Sequence, residues 1–266
     1  MTSLFGKLYF LLPNSQRLER IWKIAHIDFK KRYYDSFMGL FWAFLNPAFR
    51  ILIYYFIFTT FYDAGSRIEN FALYLYSGLI SFLFFKEIAT SGMMIFSQKR
   101  YLIESIQFNK IDLFISNGLS CSMGFLFNLF VFFILAMYFG IEYSWRLIYF
   151  VPIFFTIWIL GLGAGIILSI IRIYFKDVIH LWNMFSLLLF WSCPIFFRGE
   201  AILEKVPYLM YINPMAGVIY NVRPVLMYDS APDWYWMGYN ALIAIVVLIV
   251  GLIGLKYFTK KVLENL

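Results

Sequence analysis

Apolar positions along this chain follow two regimes. From Leu18 to Tyr33 they recur at helical spacing, at Leu18, Ile21, Trp22, Ala25, Phe29 and Tyr33, with Arg17, Arg20, Lys23, Lys30 and Lys31 on the other sides. That pattern predicts a basic amphipathic helix lying along a membrane surface, although a helix docked on a soluble partner has the same signature. Asn14 or Ser15, just after Pro13, supplies the N-cap, and the residues before it form a lead-in. From Leu40 onward polar residues become rare. A spanning helix needs about 20 mainly apolar residues, and six runs qualify: 40–61, 71–96, 113–139, 147–171, 179–197 and 236–258. The expected fold is an all-α polytopic membrane domain over 40–258, after an N-terminal lead-in and interface helix (1–39) and before a short tail (259–266).

The connection between the fifth and sixth runs is unusual. Residues 198–235 contain apolar pieces, including Ile202, Leu203, Val206, Leu209 and Met210, then Val218, Ile219, Val225 and Leu226, broken by Pro207, Pro214, Pro224 and Pro232. Each piece is too short to span, and proline interrupts helices. Two short re-entrant or interfacial helices, over about 200–228, are predicted, with their backbone sheltered against protein or a water-filled cavity. Most lysines and arginines fall before the first run, in 97–112, in 172–177 or after the last run; the opposite loops hold only Arg67, Arg146, Arg198, Lys205 and Arg223. The positive-inside rule then places both termini in the cytoplasm.

Composition agrees: 62% of residues are hydrophobic and 14% charged, far from soluble usage. The net charge of +7 suits cytoplasmic loops and anionic headgroups rather than nucleic acid, since no basic-aromatic soluble module is present. The first residues lack the pattern of a cleavable signal peptide. Cys121 and Cys193 sit in apolar runs without a metal-binding or redox spacing, and His26 and His180 have no ligand set around them, so no metal is expected. No H-E-x-x-H, G-x-S-x-G or G-x-x-x-x-G-K-[ST] motif occurs, so the chain is expected to be neither an enzyme nor an ATP-binding subunit.

Several residues within the apolar runs carry chemistry. Trp42, Asn46, Arg50 and Tyr54 follow an i, i+4 path and give the first span one polar-aromatic face. Arg50 lies roughly 15 Å from Leu40 along that helix. Lys86 and Glu87 sit deep in the second span, and charges at that depth normally face protein or water. Either this face lines a pathway, or Arg50 pairs with Glu87 and simply locks two spans together. In the fifth span Trp182, Phe185, Phe190 and Trp191 gather aromatics around Asn183 and Ser186; rings that stack on sugars suit a route for a bulky amphiphile, while interfacial anchoring is the plainer use. Gly161 and Gly165 form a G-x-x-x-G that allows close helix packing, within or between subunits.

Local motifs then point to a family. The entry stretch Arg32, Tyr33, Ser36, Gly39, Trp42, Leu45 and Pro47 resembles the start of the first span in type-two ABC export permeases, most closely the branch that exports bacterial surface polysaccharides. Arg172-Ile173-Tyr174-Phe175-Lys176-Asp177 is similar to that family's Arg-x-Tyr-x-Arg-Asp pattern, with Lys176 in place of arginine. Ser192-Cys193-Pro194-Ile195 resembles its Ser-Pro-Ile step with Cys193 added, and Tyr211-Ile212-Asn213-Pro214, followed by Arg223, its Asn-Pro stretch. Phe108-Asn109-Lys110 departs from the Phe-Pro-Arg step that relatives often carry, so the helix there is expected to extend further. The resemblance implies a homodimer on two cytoplasmic nucleotide-binding ATPase subunits, which alone hold ATP and magnesium, in the bacterial inner membrane. It implies that Lys99, Arg100, Glu104, Arg172, Tyr174, Lys176 and Asp177 couple to the ATPase. Trp42, Asn46, Arg50, Tyr54, Trp182, Phe185, Phe190 and Trp191 would face the substrate, and Asn213, Pro214 and Arg223 would form the outer gate. The implied cargo is a lipid-linked glycan such as O-antigen. Teichoic acid, capsule and drug export are alternatives within the class, and a glycan-transferring membrane enzyme or a passive channel lies outside it.

Overall fold

The structure is a computed structural model and describes residues 15–33, 39, 41–62, 68–100, 102 and 109–264. Glu104, Ser36 and Arg67 therefore lie outside the described residues. No strand occurs among the described residues. In chain order the helices are α1 (Ser15–Tyr33), α2 (Phe41–Tyr62), α3 (Phe71–Gln98), α4 (Lys110–Tyr138), a 3-10 turn (Trp145–Tyr149) running into α5 (Phe150–Tyr174), and α6 (Val178–Trp191). Three short pieces follow, α7 (Glu200–Lys205), α8 (Tyr208–Ile212) and α9 (Pro214–Met227), and then α10 (Trp234–Glu264).

Five helices, α2, α3, α4, α5 with its 3-10 lead, and α10, are long and apolar enough to cross a bilayer. The expected fifth span is shorter than its apolar run. α6 is 14 residues long, about 21 Å at 1.5 Å per residue, against a hydrocarbon core of about 30 Å. It stops because Pro194 cannot continue the ladder and because the backbone turns, with Cys193 N–H on Phe190 O and Ile195 N–H on Cys193 O at 2.7 Å. Three short helices replace the expected two, since Pro207 caps α8 and Pro214 opens α9. α4 begins at Lys110, where the Asn109 side chain accepts from Ile111 N–H as a proper N-cap.

α5 is the centre of the bundle, with α3 on one side and α10 on the other. Its glycines make that possible. A Cβ on Gly161 would stand 2.9 Å from Ile88 Cβ, and one on Gly165 would stand 3.2 Å from Gly92 Cα, so α3 and α5 approach almost backbone to backbone. On the other side, a Cβ on Gly163 would lie 2.7 Å from Leu248 N of α10. The G-x-x-x-G thus works within the subunit. Around this spine α3 is covered on nearly all sides, with Phe82, Phe84, Ile88 and Met93 fully buried. Phe84 stacks on Phe125 of α4 at 4.3 Å. α2 is the opposite case: Ala43 and Pro47 are its buried residues, and Phe49, Leu52, Ile53 and Phe56 are exposed. Asn128 holds it, donating to Ala43 O at 3.1 Å.

Candidate functional site

At one end of the bundle three ion pairs fasten α1 along α3 and α4. Arg17 reaches Asp112 at 2.6 Å, Asp28 pairs with Lys99, and Arg32 pairs with Glu87. The hydrogen bond to Asp112 raises the Arg17 pKa above its ordinary value. Ile21 and Ala25 are buried beneath α1, while Leu18 and Trp22 of the same stripe remain exposed. The Arg32–Glu87 pair overturns the expected Arg50–Glu87 pair. Arg50 is exposed on α2 and lies within electrostatic reach of Lys86. Neither has an ion-pair partner among the described residues, so two like charges share one membrane-depth face.

The same end carries a cleft of about 260 Å³ lined by Ser97 in the last turn of α3 and Arg100 just beyond it, by Ser169, Arg172 and Ile173 at the end of α5, and by Lys176 after it. Arg172 donates to Ser97 Oγ at 2.5 Å. The two segments flanking this cleft are separated in sequence by α4 and most of α5, and the fold sets their basic residues side by side. Tyr174, Lys176 and Asp177 are exposed beside it, and Asp177 O accepts from His180 N–H at 2.9 Å to start α6. Lys99 is turned away into its pair with Asp28.

Aromatic side chains in the middle of the bundle divide into two groups. Trp182 is buried and donates to Thr90 Oγ1 at 2.8 Å, pinning α6 to α3. Phe190 is also buried, against Phe82, Phe196 and Tyr54. Tyr54 stands edge-on to Phe196 at 4.9 Å. Trp42, Asn46, Phe185 and Trp191 are exposed.

At the far end the Asn-Pro step has a clear mechanical job. Asn213 is buried, and its amide donates to Leu189 O at 3.0 Å and Ser192 Oγ at 2.8 Å, with Cys193 Sγ at 3.2 Å. Its carbonyl oxygen accepts from Met215 N–H at 3.1 Å. One side chain therefore ends α6 and caps α9, with Pro214 at the first helical position, where its missing N–H costs nothing. Ten residues on, Arg223 is 3% exposed. It lies 3.4 Å over the Tyr74 ring and donates through Nη2 to Ile195 O at 3.2 Å. Gly78 leaves room for it, since a Cβ there would meet Nη2 at 3.1 Å. Arg223 also lines a cavity of about 360 Å³ with Glu69, Arg198, Glu200, Tyr220 and Tyr228.

The family model of the ABC-2 type transporter matches residues 19–227. The chain belongs to the ABC-2 type transporter family. A Klebsiella pneumoniae relative named O-antigen export system permease protein RfbA is 26% identical over 248 residues, covering 89% of this chain and 90% of the relative. A second Klebsiella pneumoniae protein of that name is 26% identical over 238 residues. One from Myxococcus xanthus is 24% identical over 223 residues, or 83% of this chain and 85% of its own length.

For an ABC-2 transporter chain the residues singled out from sequence thus separate by location. Arg100, Arg172, Tyr174, Lys176 and Asp177 gather at the α1 end, and Asn213, Pro214 and Arg223 at the α9 end. Trp182 and Phe190 are packing residues in this subunit, not surface. Sequence reasoning missed the α9-end cavity, because Tyr74, Glu200, Tyr220 and Tyr228 come from α3, α7, α9 and the turn beyond α9. It also missed the acidic partners Asp28 and Asp112. Their signal was available: an isolated acid in each of two otherwise basic or apolar stretches invites a cation from elsewhere.

Proposed function

We propose that this chain is the membrane permease of a bacterial O-antigen export system, moving a lipid-linked glycan across the inner membrane. The observation that carries the reading is likeness along about nine-tenths of the chain, at 89% coverage, to permeases described by that activity. Two copies form the pathway, and a separate nucleotide-binding subunit supplies ATP hydrolysis. The sparsely covered α2, with apolar Phe49, Leu52 and Phe56 exposed, supports a second copy or lipid against that face. The distribution of Lys and Arg supports a cytoplasmic α1 end. There the cleft of Arg100, Arg172 and Lys176 offers converging positive charge to a partner subunit, and the exposed Asp177 a negative one.

Mechanically, α1 is tied to α3 and α4 by charge pairs, and α3 and α5 are tied to one another by glycine contacts. A push delivered at the cleft therefore moves α1, α3 and α5 together and reaches α9, which packs on α3, α5 and α10. The exposed face of Trp42, Asn46 and Arg50, with Lys86 nearby, is where an anionic lipid-linked head would pass. The test is deletion in the native bacterium: surface O-antigen disappears, lipid-linked glycan accumulates inside, and a plasmid copy restores export. Normal surface O-antigen with loss of teichoic acid, capsule or drug efflux would reassign the cargo. Turnover of a sugar donor by the purified chain alone would overturn the transport reading.

A further inference from the structure

The α9-end cavity is built unlike a packing defect. Its floor is Arg223 and Tyr74, both buried, and its walls are Ile68, Gly199, Tyr220 and Pro224. Glu69, Arg198, Glu200 and Tyr228 stand exposed at the rim. At about 360 Å³ it is within the size range of small-ligand sites, about 300–1,000 Å³. Arg223 is the informative residue. Its Nη2 has a carbonyl partner, and its guanidinium face is taken by the Tyr74 ring. Its Nε and Nη1 are buried with no hydrogen-bond partner. Leaving buried donors unmade costs about 1–3 kcal/mol each. Both atoms are closed off from the cavity in this state, so a guanidinium that turns outward gains partners from whatever occupies the cavity beside it.

The lining states what enters. Arg198 and Arg223 are balanced by Glu69 and Glu200, so the cavity has no net charge to attract a simple anion. Glu69 and Glu200 are acceptors, the arginines are donors, and the phenols are both. Burial raises Tyr220 and Tyr228 above the ordinary phenol range, so both keep their protons as donors. Aromatic rings add flat apolar surface with a polar tip. A neutral ligand with many hydroxyls and apolar C–H faces matches this mixture.

We propose that this cavity is a saccharide-binding site, holding one or two sugar rings of the cargo at the α9 end. It deepens the export reading above and rests on it for the source of the sugar. Glu69 and Glu200 accept from hydroxyls, Tyr220 and Tyr228 flank the ring, and Arg223 donates from the floor once its guanidinium turns toward the sugar. The site gives the transporter a hold on glycan that does not depend on the lipid carrier.

The full-length chain in lipid nanodiscs tests this by saturation-transfer NMR with methyl glycosides of glucose, galactose, mannose, rhamnose and N-acetylglucosamine. Inorganic pyrophosphate is the anionic comparator. Saturable binding of at least one glycoside is expected, unaffected by pyrophosphate. The rim variant Glu200→Gln with Tyr228→Phe, both exposed and expected to fold normally, should weaken it about threefold to tenfold, the loss of one or two hydrogen bonds. Arg223→Lys, which keeps charge but loses the fork, should weaken it at least as much, with its unfolding midpoint recorded alongside. No saturable glycoside, binding unchanged in the rim variant, or displacement by pyrophosphate would each overturn the proposal. The deletion experiment reads separately: lost export with no glycoside binding sinks only the site, whereas retained export sinks the cargo assignment.

Discussion

Gly163 is the sharpest place to test the packing argument. In Gly163→Ala the new methyl would lie 2.7 Å from Leu248 N, 2.8 Å from Leu248 Cα and 2.8 Å from Val247 C. Carbon contacts relax to about 3.5–4.0 Å, so α5 and α10 must separate by roughly 0.7 Å or more. The obstacle is backbone, which has no rotamer to turn away. Overpacking of this kind costs about 1–3 kcal/mol, more than the roughly 0.5–1 kcal/mol that alanine gains over glycine in a helix. Gly238→Ala, in the same α10 but with nothing within 4 Å of the new methyl, is the internal control and should be neutral or slightly stabilising. Titration with SDS, followed by far-ultraviolet circular dichroism and tryptophan emission, reads both midpoints. A useful third variant is Gly118→Ala, whose methyl would meet the Trp158 ring at 2.8 Å. Trp158→Leu should rescue it, whereas Leu248→Ala should not rescue Gly163→Ala. A Gly163→Ala midpoint at or above that of Gly238→Ala would refute the close-approach account of α5 and α10.

Other expectations follow from the two ends of the bundle. Arg32→Ala strands Glu87 without its cation and should cost about 1–3 kcal/mol in the same unfolding assay, while Arg32→Met with Glu87→Met should recover most of it; equal midpoints for the single and double variants would dismiss the pair as a stabiliser. Asn213→Ala removes the cap of α9 and the ties to Leu189 and Ser192, and should lower the midpoint by about 1–3 kcal/mol. Thiol-reactive probes should then reach Cys193, which is fully buried in the intact protein; unchanged labelling would show that Asn213 is not what closes that end. Arg172→Ala and Asp177→Ala should abolish surface glycan and lower the ATPase rate of the assembled transporter while leaving membrane insertion normal. Retained export in both would remove these residues from the coupling assignment.

Much of the architecture was legible in sequence because a bilayer allows so few backbone solutions. Long apolar runs must be helices; the runs at 71–96 and 236–258 lie within α3 and α10, and the run at 113–139 overshoots α4 by one residue. Hydropathy failed at α6, where the apolar run continues to Phe197 but the helix ends at Trp191. Composition senses whether a segment is buried, not whether its backbone is helical, and Cys193 to Phe196 are buried as a turn. The prolines mark that the chain breaks after α6 but not how many helices lie between the breaks, three where two are expected. Charge pairing was the least legible feature. Glu87 takes Arg32 rather than Arg50, because the choice depends on which side of α3 the surface helix lies, and no periodicity records that. The α9-end cavity was hidden for the same reason, since its tyrosines come from α3, α9 and the turn beyond α9.

The pairing of Arg32 with Glu87 also sets an order on biosynthesis. The chain emerges N-terminus first, so Arg32 is made long before the helix that needs it. When α3 enters the membrane it carries a carboxylate at its fifth turn, and the partner is already waiting on α1. An insertion step that would be costly in isolation thus becomes a docking step, with Asp28 and then Asp112 receiving Lys99 and Arg17 as the later segments arrive. A chain begun after α1 would have to insert Glu87 alone. The surface helix is, in this sense, an intramolecular guide for the assembly of the helices it is fastened to.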